Sequence, residues 1–516
     1  MTKIPTKPKR TLQVYFSDFF DISPSVLEKY GAFNVSLIND LPLFIDPFLL
    51  FESEKKEYRN LHDEMLKYLA YLRDKAAKEV LDKGLIEHLF VFPEVKQNWL
   101  GYSLIGNEGR GLGNKFAQAL SGNLNTVFSN FGKETITKGS HLEKLCIIRS
   151  GVGRDNVSDF TTNLLKHFLL EYTEKFALAH LDSTQIKRFK VEKAFFSYQS
   201  GRWLAKDFTL PHVADDYVLL TPKDLLTKDE NWINARDIFG NFEDIARSIP
   251  NEQLRALIND HFRRALPPPP KQEKKKGKRK KEKPPSKKEI AAAITQVIEA
   301  FPEFLDYYIK FKEDRGDEAK ALSRDKVALS EHIFIEQLRQ FVSLLSEGTE
   351  FYSEMPESLE EARRRVIFLK HVIENNDGYR VFYAKNQPVK RESDLQVMFR
   401  LVWFASSYEV DAEVNNGRGP VDFKISRGSK NKSLVEFKLA SNKALKKNLQ
   451  NQVGIYEKAN QTDRSLKVIL FFSLEELEGT NKVLKELGLQ KDKNIILIDA
   501  RQDNKVSASK AIGNRG

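Results

Sequence analysis

Apolar residues recur every three or four positions in some stretches of the chain and every two in others, and the change of period divides it. EYRNLHDEMLKYLAYLRDKAAKEVLDKG (57–84) has helical spacing and predicts one amphipathic helix ended by Gly84. SDFTTNLLKHFLLEYTEKFALAH (158–180) predicts a long helix capped by Ser158 or Asp159. The apolar runs AFNVSLI (32–38) and LPLFIDPFLLF (41–51) predict strands or buried segments. EKLCIIRSGVG (143–153) predicts a strand entering a glycine turn, and residues 187–211 predict paired strands. Residues 1–265 are therefore expected to form an α+β region. Residues 289–377 keep helical period almost throughout, in 289–314, VALSEHIFIEQLRQFVSLLSE (327–347) and SLEEARRRVIFLKHVIEN (358–375), and predict a helical subdomain. From Asp411 the period falls to two. Three strands, a helix, strand 467–473, helix 474–487 and strand 493–499 predict an α/β core with a mixed sheet over 378–500. Residues 501–516 are expected to fray, and no internal repeat is present.

Between these halves lies LPPPPKQEKKKGKRKKEKPPSKK (266–288), where two proline clusters bracket a lysine run. Proline and like-charge repulsion keep such a segment extended, so it is expected to be a flexible linker. It also changes the meaning of the net charge of +11. Residues 271–288 hold eleven Lys/Arg and two Glu, which leaves 83 − 11 = 72 basic against 72 − 2 = 70 acidic residues elsewhere. The basicity belongs to the linker, which suits either salt-sensitive phosphate binding or a solubilising spacer. With 516 residues the chain has room for roughly two to four domains. Its single cysteine, Cys146, excludes an internal disulfide and a cysteine-based zinc site. No apolar run reaches the length of about 18 that a membrane span needs, and MTKIPTKPKRTLQVYF lacks a signal-peptide core. A soluble, cytoplasmic protein is expected.

The chemistry gathers in GRGPVDFKISRGSKNKSLVEFKLASN (417–442). Alternate residues of a strand face opposite ways, so Glu436 and Lys438 share one face while Val435 and Phe437 take the other. Asp422 alternates in the same way with Val421 and Phe423. The polar run around Gly428 predicts the turn of a hairpin that brings Asp422 beside Glu436. Adjacent carboxylates repel unless a cation or a proton lies between them. Asp and Glu oxygens are hard ligands suited to Mg²⁺ or Mn²⁺. A lysine beside them can stabilise charge developing on a phosphate or its attacking hydroxide. The helix predicted over 442–459 puts Leu445, Leu449, Gln452 and Tyr456 on one stripe, with Lys443, Lys446, Lys447 and Gln450 roughly opposite. Those lysines suit either a nucleic-acid contact or a solvated helix face. The sheet face itself has a plain alternative, cross-strand ion pairs in water.

Pro420-Val-Asp422 and Glu436-Phe-Lys438 resemble the signature of the PD-(D/E)XK nuclease superfamily, with one extra residue between Pro and Asp. RESDLQVMFRLVWFAS (391–406) is similar to the family's first core helix, and Gln452-Val-Gly-Ile-Tyr456 resembles the QxxxY motif of its RecB-like branch. The resemblance covers about a quarter of the chain and implies a restriction-endonuclease-like fold. It implies a Mg²⁺- or Mn²⁺-dependent nuclease, an endonuclease acting on DNA more than RNA. Asp422, Glu436, Lys438, Gln452 and Tyr456 would be its catalytic residues. Its metal ligands would be Asp422, Glu436 and Glu392, with Asp394 second in line to Glu392. The N-terminal region would then sense or recognise a substrate, partner or trigger, as in bacterial anti-phage or restriction systems, and a homodimer would allow both strands to be cut. Two alternatives remain open: a catalytically silent nucleic-acid-binding scaffold, and a main activity seated in the N-terminal region.

Other constellations are less specific. GNEGRGLGNK (106–115) lacks the GxxxxGK[ST] pattern of a phosphate loop and reads as a flexible loop, and Lys115 does not change that. In SGVGRDNVSD (150–159), Asp155, Asp159 and Asn163 suit helix capping. A second phosphate or metal site, joined by Asp40 and Asp46, is the competing reading. The nine histidines show no metal-ligand spacing, and no helix-turn-helix or zinc finger supports sequence-specific DNA reading.

Overall fold

The structure of the protein is a computed structural model. It describes residues 13–505 apart from 79–81, 102–111, 114–115, 119, 122–131, 133, 145–146, 148–153, 268–284, 349–356, 385, 390, 404–407, 416–419, 428–430 and 451–463. The chain is mixed helix and sheet, and among the described residues no helix is long and apolar enough to cross a membrane.

In the N-terminal half, β1 (Phe44–Ile45) leads through Asp46 into α1 (Pro47–Phe51). Asp46 is the cap and Pro47 the first helical residue, which suits proline's fixed φ. Residues 32–38 form no strand, although Phe33 and Val35 are fully buried. Helix α2 (Lys56–Lys78) is the expected amphipathic helix, but Gly84 does not end it. Gly84 lies inside α3 (Lys83–Leu89), where the Asp82 carboxylate accepts the Leu85 N–H at 2.7 Å. The long helix expected over 158–180 is two: α4 (Arg154–Leu164) and α5 (Lys166–His180), separated at Leu165. Ser158 and Asp159 therefore lie inside α4 and not at its start. Ser158 Oγ instead accepts the Ile45 N–H at 3.1 Å, which ties α4 to β1. Lys144 and Ile147 are helical where a strand was expected, and most of 145–153 lies outside the described residues. The paired strands expected over 187–211 are present as β2 (Ile186–Ser197) and β3 (Arg202–Val213), antiparallel with a register shift between Val191 and Phe195. A short strand β4 (Leu226–Thr227) pairs back with β1.

Helices α6 (Ala235–Gly240), α7 (Phe242–Ser248) and α8 (Glu252–Ala265) precede the Pro/Lys run, and α9 (Lys287–Ala300) and α10 (Glu303–Glu313) follow it. The sequence suggests a boundary there, but packing is continuous across it. Phe242, Ile245 and Ile258 share one core with Ile294, Val297 and Phe304. The expected single helix over 289–314 is divided at Phe301-Pro302, because proline cannot supply the N–H a continuing helix needs. Then come α11 (Gly316–Glu331), a π-helical stretch at His332–Gln337, α12 (Leu338–Gly348) and α13 (Ser358–Asn375).

Helix α14 (Glu392–Trp403) opens the C-terminal unit, followed by β5 (Glu409–Asn415), β6 (Pro420–Arg427), β7 (Asn431–Leu439), β8 (Ser465–Phe471), α15 (Leu474–Glu486) and β9 (Ile495–Asp499). They form the expected mixed sheet, in order β9-β8-β7-β6-β5, with β5–β6–β7 antiparallel and β7–β8–β9 parallel. One sheet face packs under α13 and α14, where Phe399 meets Phe423 and Phe437 at ring-centre distances of 4.8 and 4.4 Å. On the other face Ile469 packs with Leu445, Leu449 and Leu484. The first face belongs to a core that also takes in Val14, Phe33 and Leu220, so N-terminal and C-terminal halves share apolar packing.

Candidate functional site

The alternation read from β7 holds. Val435, Phe437 and Leu439 enter the core, while Glu436 and Lys438 point the other way, with Lys467 of β8 in register with Glu436. On β6, Phe423 pairs with Val435, so the next step along the hairpin sets Asp422 beside Glu436. Asp422, Glu436 and Lys438 are all buried, at 7–8% exposure.

The ladder between β6 and β7 stops at the Phe423–Val435 pair, and the N–H groups of Phe437 and Leu439, two apart on one edge, need other acceptors. Two carboxylates supply them. Asp422 Oδ2 accepts the Phe437 N–H at 2.7 Å, and Glu392 Oε1 accepts the Leu439 N–H at 3.3 Å. Gln396 Nε2 donates to Asp422 Oδ1 at 2.8 Å, and Asn442 Nδ2 donates to Glu392 Oε1 at 2.7 Å. Lys438 Nζ stands between the acids, 3.6 Å from Asp422 Oδ2 and 3.7 Å from Glu392 Oε2. Glu392 and Gln396 are one turn apart on α14, so a single helix face delivers both.

The electrostatics follow from burial and crowding. Burial raises the Asp422 pKa, although Lys438 and the Phe437 N–H oppose it. Burial pushes Glu436 up to about 7, with Lys438 opposing and Asp422 adding repulsion. Burial also works against the Lys438 ammonium, but Asp422, Glu392 and Glu436 outweigh it and its pKa is raised. The site is crowded with negative charge and would be relieved by a proton or a cation. Among the described residues no three of His, Cys, Asp and Glu converge on one cation position. Mg²⁺ does not need them to. It is commonly held by one or two carboxylates with water and substrate phosphate completing an octahedron, a donor set that Asp422 and Glu436 fit.

The other expected residues divide. Asp394 does not face the carboxylates, since Lys228 Nζ holds it at 3.2 and 3.3 Å. Lys443, Lys446 and Lys447 are exposed beside the site, and Lys446 pairs with Glu486 at 2.7 Å. Gln452 and Tyr456 lie outside the described residues, as do Cys146, Lys115 and residues 106–111 of the glycine-rich run. Of the second site suggested around Asp40, Asp46, Asp155, Asp159 and Asn163, Asn163 and Asp46 are engaged by backbone groups, and the Asp155 side chain lies outside the described residues. Asn163 Nδ2 donates to the Pro93 and Asp159 carbonyls, and Asp46 accepts the Phe48 and Trp232 N–H groups at 3.1 and 2.7 Å. Sequence reading missed Gln396 and Asn442. The spacing of Gln396, four after Glu392, could have revealed it.

It also missed a buried cluster around Asp46. His141 Nε2 lies 2.9 Å from Glu313 Oε1, and His141 Nδ1 is 4.0 Å from Glu143 Oε2. His62, His141, Glu143 and Glu313 are all 3% exposed or less. Among the described residues neither Glu143 oxygen has a hydrogen-bond partner. Burial, then repulsion from Asp46, pushes Glu143 up to about 8, and the nearby Phe48 N–H lowers it somewhat without reaching hydrogen-bond geometry. Burial, then His141, takes His62 down to about 3.

Residues 21–234 match a family described as a domain of unknown function (DUF8370), and residues 358–474 match another, also a domain of unknown function (DUF8371). Glu392, Gln396, Asp422, Glu436, Lys438 and Asn442 all fall within the second match, and Lys228 within the first. No curated protein and no solved structure matches the chain. Neither description names an activity.

Proposed function

We propose that the C-terminal sheet is the centre of a divalent-metal-dependent nuclease that hydrolyses phosphodiester bonds in DNA. The observation that carries this reading is that Lys438 stands between the buried Asp422 and the half-buried Glu392, with the buried Glu436 close enough to feel all three charges, from one helix and two strands. Asp422 and Glu436 would hold Mg²⁺ or Mn²⁺, with Glu392 a further ligand. When bound, such an ion makes hydroxide available from water near neutral pH and withdraws charge from the phosphate. Lys438 is placed to orient the attacking water or to stabilise the charge gathering on phosphorus oxygens. Gln396 fixes the Asp422 carboxylate, and Asn442 fixes Glu392. Lys443, Lys446 and Lys447 would meet the DNA backbone, and Gln452 and Tyr456 would help to position the strand.

A second reading also has an observation behind it. Asp422 and Glu392 complete the backbone hydrogen bonds of β7, which a catalytically silent nucleic-acid-binding scaffold would also need. Metal-dependent cleavage of linear, circular and single-stranded DNA separates the two. Cleavage that is lost in Asp422→Ala and Lys438→Ala supports the enzyme, and DNA binding without cleavage in any condition supports the scaffold.

A further inference from the structure

Helix α14 has two working sides. Glu392 and Gln396 reach the sheet, while Arg391, just ahead of the helix, and Asp394 meet the N-terminal half. Lys228 Nζ lies 3.2 and 3.3 Å from the two Asp394 oxygens, and Arg391 pairs with Asp229. The charges run Lys–Asp on one segment and Arg–Asp on the other, so both pairs form together and a shifted register would set like charges against each other. The Lys228 and Asp394 side chains are only 7% and 11% exposed, and the ammonium also stands 5.1 Å from the centre of the Phe334 ring. A buried pair of this kind adds little net stability, but removing one partner strands the other charge, so the geometry is strongly fixed.

The segment bearing Lys228 is itself anchored on both sides. Ahead of it β4 pairs with β1, and behind it the Trp232 N–H donates to Asp46. Asp229 adopts a left-handed backbone, φ 82°, within this anchored turn. A rigid piece of the N-terminal half thus grips the start of the helix that delivers Glu392 and Gln396 to the carboxylate site.

We propose that Lys228 and Asp229 are positioning residues for that site, holding the first turn of α14 so that Glu392 reaches Leu439 and Lys438 and Gln396 reaches Asp422. The consequence for activity rests on the nuclease reading; the placement of the helix does not. Anything that binds the N-terminal half and shifts residues 226–232 would move Glu392, which gives the N-terminal half a physical route to control of the sheet.

The test uses the full chain and two readouts. Amide hydrogen exchange follows Leu439, whose N–H Glu392 accepts, against Val468 in the middle of the sheet. Lys228→Met is expected to speed exchange at Leu439 by about tenfold or more while Val468 keeps its wild-type rate, the mark of local opening. The same variant is expected to raise the Kd for Mn²⁺ by about tenfold, and Lys228→Asp combined with Asp394→Lys is expected to recover part of both effects. Asp229→Asn keeps a residue type tolerated in left-handed backbone and is expected to show the same pattern at about threefold, which serves if Lys228→Met does not fold. Unchanged exchange at Leu439 in the folded variants, or equal acceleration at Leu439 and Val468, overturns the positioning role. If the wild type neither binds Mn²⁺ nor cuts DNA, the nuclease reading fails, and the exchange comparison still decides the positioning role.

Discussion

The chain buries acids in two places and treats them differently. In the C-terminal sheet, Asp422 accepts two hydrogen bonds, Glu392 accepts two, and Lys438 lies close to both. In the N-terminal half, Glu143 has no hydrogen-bond partner on either oxygen among the described residues, and its charged company includes another acid, Asp46. Both environments raise carboxylate pKa values, but Asp422 combines oriented oxygens with a neighbouring ammonium, and Glu143 has no ammonium acting on it among the described residues. An acid set that is ordered and overcrowded can trade a proton for a metal ion. An unpartnered acid in a dry interior simply keeps its proton. The lesson is that a raised pKa marks burial, and only the surrounding donors say whether the group is placed for chemistry.

The largest expected effect is on metal affinity. Asp422→Asn should abolish Mn²⁺ binding measured by calorimetry, by about a hundredfold or more in Kd, whereas Glu143→Gln should leave it unchanged. A loss in Glu143→Gln would break the comparison.

Stability should respond in the opposite place. His141→Leu removes the buried hydrogen bond to Glu313 and should lower unfolding stability by about 1–3 kcal/mol in urea titrations, with DNA cleavage at low temperature retained. Equal stability of the two proteins would show that the cluster contributes nothing to the fold.

The two regions should also differ in how pH and metal interact. Glu143 is raised from 4.5 to about 8, so the folded state holds its proton more tightly than the unfolded one. Its contribution is complete below pH 4.5 and is lost as pH rises towards 8, and Glu143→Gln should flatten that part of the stability profile. Glu436, raised from 4.5 to about 7, has the same sign over its own window, but there a proton would compete with the proposed metal. Mn²⁺ should therefore raise the Tm more at pH 8 than at pH 6, and Asp422→Asn should remove that response while Glu143→Gln keeps it. A Tm increment independent of pH would place the metal elsewhere.

The smallest effect belongs to the exposed lysines. Lys446→Ala breaks a surface pair with Glu486 and should leave stability indistinguishable from the wild type. If the residue meets DNA, the same variant lowers the salt slope of binding by about one. An unchanged slope assigns Lys446 to the solvated helix surface.

What the sequence revealed and what it hid follow from range. The period-two alternation through Val435, Glu436, Phe437 and Lys438 is local, so the facing of β7 was legible, as were α13, α15 and the parallel strands β8 and β9. Helix ends were less so. Ser158 has the chemistry of a cap but spends its hydroxyl on the Ile45 N–H, and α4 begins four residues earlier. Gly84 was read as a stop and lies inside a helix that Asp82 starts. Asp394 stood second in line to Glu392 because both stand in the first turn of α14, and a lysine 166 positions away draws it elsewhere. The His62–His141–Glu143–Glu313 cluster comes from segments that no periodicity connects, and Asp46 alone among its neighbours drew attention in the sequence. Partners this distant leave no local pattern.

The central claim is tested most directly by cleavage assays on linear, circular and single-stranded DNA with Mg²⁺ or Mn²⁺, the full chain beside Asp422→Ala and Lys438→Ala. The wild type is expected to cleave in a metal-dependent way and both variants to lose that cleavage, with all three proteins folded. Cleavage that survives in either folded variant, or wild-type protein that binds DNA and metal yet leaves every substrate intact, would contradict it.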